Sequence, residues 1–298
     1  MCSSKSITER MTCIMMTIAK RNILLYFRDK SALFFSLLAV IILVVLYGTF
    51  LGNVISDSLP DFPAKKWLLL SWIFAGILAV TSVTTTLGAF GTLVEDCSTE
   101  ANLDFFASPI KRSDLFGGYV ISSIFIGFIM CLLVLLTANA IFFFLGDKIL
   151  TFMQLVKVVG VISLSVISIS TMILLLVSFF KTVKAFAAAS TVIGTLLGFL
   201  AGIYIPIGNL PTYLQTVIKL FPTSHSAALF RQILMEQPIQ ETFAKAPVSA
   251  KKEFLLEMGV FYELNGSHTS PLFSVLYLTG IAILFSIVAA TFMKRKRS

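Results

Sequence analysis

The sequence predicts an all-α membrane protein: six transmembrane helices, an interfacial helix before the first, and a re-entrant helical hairpin on the outer side between the fifth and sixth. Three observations predict it. Only 13% of the 298 residues are charged and 57% are apolar, with mean hydropathy +0.94, whereas soluble domains carry roughly 25% charged residues. Six apolar runs reach the ~20 residues that a helix needs to cross a bilayer. These runs are continuous rather than alternating, which excludes a transmembrane β-barrel. The whole chain, 1–298, reads as one transmembrane domain.

Residues 1–30 come first. Ile7, Met11, Ile14 and Ile18 recur at three- and four-residue steps among Lys5, Arg10, Lys20, Arg21 and Arg28. This is the pattern of a helix lying in the membrane interface, apolar face inward and basic residues at the headgroups. The spans then fall at about 31–51, 67–94, 115–145, 152–180, 184–206 and 271–293. The first run is expected to stay in the protein, because it starts late, lacks an A-x-A cleavage site and has five more behind it. With the N-terminus inside, fourteen Lys and Arg fall on inner segments and eight on outer ones, five of those eight in one long loop. Long loops weigh little in orientation. Both termini are therefore expected in the cytoplasm, with the KRKRS tail against anionic lipid.

The net charge of +8 thus follows one side of a membrane, and no ordered nucleic-acid-binding motif accompanies it. Cys2, Cys13, Cys97 and Cys131 show neither CxxC nor metal-ligand spacing, and none lies in an outer loop, which argues against a structural disulfide. The two histidines, His225 and His268, make no metal centre.

Residues 95–114 join the second and third spans. Ser98 or Thr99 stands as an N-cap there, with Glu100 in the first turn, where the helix dipole favours an acid. Leu103 and Phe106 are three apart and share a face, and Ala107 completes a small apolar knob. Pro109 ends the segment by biasing Ser108 away from helix. The spacing predicts an amphipathic helix over 99–107, whose knob either docks on a partner or rests among headgroups.

In the fifth span Ser190, Gly194, Gly198 and Gly202 recur every four residues. Small residues at that step leave a groove for close helix approach, within this chain or between two chains. Thr81, Ser82, Thr84, Thr85 and Thr86 in the second span, and Ser163, Ser165, Ser168, Ser170 and Thr171 in the fourth, either line a polar path or bond their own backbone. Lys157 alone carries charge within a span, near enough to the outer boundary to snorkel. No Asp, Glu or His lies at membrane depth, which argues against a proton-driven carrier.

The outer segment covers 207–270. Pro206, Pro211 and Pro222 break its apolar run into two short helices, about 210–220 and 223–235, with Thr223 or Ser224 as a cap for the second. They form a hairpin that dips into the outer leaflet or lies on it. The polar remainder, 238–270, forms a small cap with one amphipathic helix after Ser249, carrying Phe254, Leu255 and Met258, and a turn at Asn265-Gly266-Ser267. No phosphate loop GxxxxGK[ST], Ser-His-Asp grouping or HExxH occurs. The chain is therefore no enzyme, and any ATP hydrolysis belongs to another polypeptide.

Two stretches resemble a known family. EDCSTEANLDFFASPIKRSDLFGG, residues 95–118, resembles the loop between the second and third spans of ABC-2-type permeases, the membrane subunits of type-2 ATP-binding-cassette exporters. NLPTYLQTVIKLFPTSHSAALFRQIL, residues 209–234, is similar to their outer segment, with Leu-Pro, an apolar stretch, Pro-Thr and an Arg. With the six-span frame and the interfacial helix, the resemblance covers nearly the whole chain. It implies a half-transporter. Two permeases pair, identical or related, and two copies of a cytoplasmic ATPase subunit bind below, holding ATP and magnesium, while this chain binds no cofactor. The helix over 99–107 becomes a cytoplasmic coupling helix, with Thr99, Glu100, Leu103, Phe106, Ala107 and Pro109 docking on the ATPase. The expected function is export across the plasma membrane, by alternating access, of a hydrophobic or amphipathic compound: a drug, antibiotic or antimicrobial peptide. The alternative cargo is a lipid-linked glycan of the polysaccharide or teichoic-acid type. Segment 238–270 is longer than in the simplest members and leaves the cargo open.

Overall fold

A computed structural model describes residues 7–31, 64–99, 112–244, 247–264 and 267–295, with isolated positions between 33 and 45. The described chain is helical apart from one two-residue antiparallel pair, Glu263–Leu264 with Ser267–His268, a small departure from an all-α chain. Helix α1 covers Ile7–Arg28. Next come α2 (Lys65–Ala89) and α3 (Gly91–Ser98), then α4 (Arg112–Leu145), α5 (Phe152–Val177) and α6 (Val183–Leu200). A 3-10 turn at Ile207–Asn209 leads to four short helices. These are α7 (Thr212–Lys219), α8 (Pro222–Leu234), α9 (Glu236–Thr242) and α10 (Val248–Glu257). The long α11 (Pro271–Arg295) closes the chain.

Among the described residues, five segments are long and apolar enough to cross a bilayer: 65–98, 113–145, 152–177, 183–200 and 271–291. The span expected at 31–51 lies outside the described residues, except for isolated helical positions. Helix α2 is the centre of the bundle. It is apolar on every face, as a helix surrounded by protein must be, and 83% of its most apolar window is buried. Trp72, Phe74, Ile77 and Leu78 are sealed between α4, α5 and α8. Helix α6 is the opposite case, with only 17% of its window buried.

Local chemistry sets the helix ends, and it moves several of the expected boundaries. The second span runs from Lys65 to Ser98 with a one-residue interruption at Phe90 between α2 and α3, across which Phe90 N–H still donates to the Thr86 carbonyl and Val94 N–H to that of Phe90. Thr85 and Thr86 donate to the carbonyls four residues back, both at 2.6 Å, and such back-bonding bends helices. Thr151 and Gln154 form a capping box that starts α5. The fifth span was expected to reach 206, but α6 stops at Leu200. Gly202 takes a left-handed φ of 63°, and Ile203 N–H donates to the Gly198 carbonyl while Gly202 N–H donates to that of Phe199. This Schellman pattern needs a residue without Cβ strain at that place. Helix α8 begins with Pro222 at its first position behind Phe221. Neither Thr223 nor Ser224 caps it, since proline's missing N–H and fixed φ already suit that site. Cys13 is disulfide-bonded, a correction to the expectation of no disulfide, which cysteine spacing gave no means to anticipate.

Candidate functional site

At one end of the bundle, α1 lies along the first half of α4. Two adjacent glycines make the seat. A Cβ on Gly118 would fall 2.7 Å from Ile18 Cβ and 3.0 Å from the Met15 carbonyl oxygen, and one on Gly117 would fall 2.8 Å from Met15 Cε. Ile18, Ala19 and Tyr26 are buried on this face, and Asn22 Nδ2 donates to Ser122 Oγ at 3.4 Å. Met16, Leu24 and Lys20 point away from it.

One carboxylate ties this end together. Arg21 of α1 donates through both guanidinium nitrogens to Asp96 of α3, Nη1 to Oδ2 at 2.6 Å and Nη2 to Oδ1 at 2.8 Å. Tyr119 of α4 donates its hydroxyl to the same Asp96 Oδ2. Arg21 also reaches Asn22 Oδ1 at 3.2 Å. The Asp96 side chain is almost closed to solvent, at 8%, against 38% for Arg21. The carboxylate raises the Arg21 pKa further, keeping the guanidinium charged. Bidentate Arg–carboxylate pairs fix direction as well as distance. Sequence reasoning missed this group. Its signal was an acid at the edge of an apolar run, which must find a partner.

Asp96 stands just before the loop that joins the second and third spans. Ser98 and Thr99 donate their hydroxyls back to the Glu95 carbonyl, each at 2.9 Å, and so close α3. Of the six expected docking residues, Thr99 is therefore placed at the end of α3. Glu100, Leu103, Phe106, Ala107 and Pro109 lie outside the described residues.

The small-residue row does not make one seam within the chain. Ser190 is half-buried, and Gly194 faces open space. Gly198 is covered by the chain's own Tyr204, whose ring would lie 2.1 Å from an added Cβ. Gly202 lies beyond the helix as its terminator. The second-span hydroxyls Ser82, Thr84, Thr85 and Thr86 bond their own backbone, as do Ser163 and Thr171 of the fourth, while the remaining fourth-span serines tie helices together. Ser165 bonds Ser226 of α8 at 2.9 Å, Ser123 pairs with Ser170 at 3.0 Å, and Ser168 donates to the Leu278 carbonyl of α11 at 2.9 Å. Thr84 and Ser163 remain accessible, while the other hydroxyls named above are buried. Lys157 is exposed in the second turn of α5, beside Glu236 and Gln237.

The opposite end is organised by Arg231 of α8, which is wholly buried. Its Nη2 donates to the carbonyls of Ala201 and Gly202 at 2.6 and 3.1 Å, and Nη1 to that of Gly259 at 3.4 Å. Two helix C-termini, those of α6 and α10, thus converge on one cation, which their partial negative charge favours. The guanidinium carbon lies 5.1 Å from the centre of the Trp72 ring, a cation–π contact. Among the described residues, no three His, Cys, Asp or Glu gather as metal ligands.

His225 is also buried here. Its Nε2 lies 2.9 Å from the Lys219 carbonyl oxygen, which can only accept, so that nitrogen carries the proton, and Nδ1 accepts from Ser274 Oγ at 3.1 Å. Burial pushes its pKa down, against the Lys219 contact that raises it. The unfolded chain then takes up a proton near pH 6.5 while the folded chain resists. Stability is expected to be level above that pH and to fall as the pH drops below it. Melting curves between pH 7.5 and 5 check this. His225→Phe should flatten the slope, and an unchanged slope would remove His225 as its source.

The comparisons fit this layout. Residues 15–235, from α1 to the end of α8, match the family described as ABC-2 type transporter. Among curated proteins, none matches the sequence. The match takes in both the helix seated on Gly117 and Gly118 and the segment that carries Arg231, and it spans well over half of the chain: the protein is an integral membrane protein that belongs to the ABC-2 type transporter family.

Proposed function

We propose that this chain is the permease subunit of an ATP-driven exporter in the plasma membrane. The family match over residues 15–235 carries the reading, since the family implies association with an ATP-binding-cassette subunit. Six spans, counting the run at 31–51, put both termini in the cytoplasm and the hairpin of α7 and α8 outside. The hairpin re-enters the outer leaflet, and the packing of α8 against α2, α5 and α11 supports this, because broken backbone is tolerated at that depth only under protein cover. Two permeases pair above two ATPase subunits, which hold ATP and magnesium and receive the helix at 99–107. ATP binding draws the cytoplasmic ends together, and the paired permeases open outward. The cargo is a hydrophobic or amphipathic compound.

Co-purification and reconstitution test this. The chain should bring down an ATPase subunit, and inside-out vesicles of the complex should accumulate a fluorescent amphipathic cation only with ATP. ATP-dependent movement of a lipid-linked glycan instead would transfer the cargo to the alternative class. Transport without ATP or an ATPase partner would remove the reading.

The pairing surface makes a separate prediction. Helix α6 leaves Gly194 open on a face where Thr191 and Thr195 are also exposed. Gly194→Leu should leave the single chain stable and reduce recovery of the pair in native mass spectrometry. Gly198→Leu should act within the chain instead, by displacing Tyr204, at about 1–3 kcal/mol for overpacking. Normal pairing of Gly194→Leu would exclude α6 as the seam.

A further inference from the structure

We infer that Asp96 is a positioning residue for energy coupling: it locks α1, α3 and the base of α4 into one rigid lever that carries the inner loop at both of its ends. The inference rests on the reading of the chain as an ATP-driven permease.

Past the one-residue interruption at Phe90, the eight residues of α3 carry the second span to its end. Leu93 and Val94 of α3 are buried, and Gly91 lies against the Phe186 ring at 3.5 Å from an added Cβ. Beyond that apolar packing, the end of α3 is fixed by Asp96, which receives Arg21 from α1 and Tyr119 from α4 on one carboxylate. Three elements 75 and 23 residues from Asp96 or adjoining it therefore meet at one point. The chain leaves this point three residues later into the 100–111 stretch, and it returns at Arg112, seven residues before Tyr119. Force applied to that stretch is delivered to α1, α3 and the base of α4 together. The glycine seat explains why α1 cannot slide: at Gly118 the two helices already touch backbone to side chain.

The test uses the full complex. Asp96→Asn removes the charge and keeps the shape. ATPase recovery should stay at the wild-type level, while transport per ATP hydrolysed should fall about tenfold, within the range for coupling residues. A disulfide then replaces the lost bond. Met15 packs on Gly117, its Cγ 3.6 Å from a Cβ built there, so Met15→Cys, Gly117→Cys is the pair to crosslink, made with the native cysteines replaced by serine and its bridge verified by a thiol count before transport is read. If the lever is rigid, the crosslinked wild type transports normally, and the crosslink restores most of the activity of Asp96→Asn. A role in folding alone would not be rescued in this way. The inference is overturned if Asp96→Asn couples normally, or if the crosslink stops transport in the otherwise wild-type complex, because α1 must then move against α4. A wild-type complex that recovers no ATPase overturns the functional reading itself, and the lever with it.

Discussion

Arg231→Met is expected to unfold the hairpin end of the molecule. The substitution keeps the volume and removes the donors, leaving the carbonyls of Ala201, Gly202 and Gly259 without the cation that they share. Burying unsatisfied acceptors costs about 1–3 kcal/mol each, and bonds to a charged partner stand at the upper end. Relaxation of the helix ends recovers part of this, so a loss of about 3 kcal/mol or more is expected, roughly 6–12 °C in melting temperature for a chain of this size. Trp72 lies under the guanidinium and donates to the Met258 carbonyl at 2.8 Å. Its fluorescence should shift in the mutant before the rest of the chain melts. Arg231→Lys should fall between the two, because an ammonium keeps the charge and loses the planar fork. If Arg231→Met melts within a few degrees of wild type with unchanged emission, the convergence of α6 and α10 on this residue is not what holds the end together.

The second large effect is expected at Phe106. With the helix over 99–107 as the part that docks on the ATPase, Phe106 is the aromatic anchor of its knob, flanked by Leu103 and Ala107. Buried aromatic anchors commonly contribute about 2 kcal/mol or more to an interface, and an aspartate in the same socket adds an unpaired charge. Phe106→Asp should therefore reach the membrane and keep the wild-type melting curve. It should lose most of its co-purifying ATPase and all cargo-stimulated hydrolysis. Recovery of both would return the knob to the alternative, an aromatic resting among headgroups. Together with Asp96→Asn the result is diagnostic: one variant releases the ATPase, and the other keeps it and wastes its work.

The bundle was legible because hydropathy reports the solvent. Runs such as 115–145 and 271–293 have no other way to bury so many apolar side chains, and their helices start and stop within a few residues of those limits. Legibility fails where backbone geometry decides. Ala201 to Ile205 continue the apolar run of the fifth span, so hydropathy sees no end at Leu200, yet Gly202 turns left-handed there. Arg231 was visible as the arginine of a family-like segment, but its partners are carbonyls, which every residue carries and no side-chain pattern marks. Arg21 and Asp96 were both visible as charges. Their pairing across 75 residues depends on α1 folding back onto α4. The glycines of the LFGG segment were read as the start of a span. Seating a second helix is what they do, and the helix in question lies a hundred residues earlier.

The bond from Trp72 to Met258 has a consequence for how the protein is made. Its two ends are separated by 186 residues. A ribosome adding roughly 5–20 residues per second needs roughly 10–40 s to supply the second end after the first has emerged. For that interval the most buried helix of the bundle is already in the membrane with one side uncovered. Lipid or an insertion factor must shield it until residue 260 arrives. The segment that finally covers it, 248–260, lies beyond the stretch matched by the family, so the core of the matched region is completed by a segment outside it.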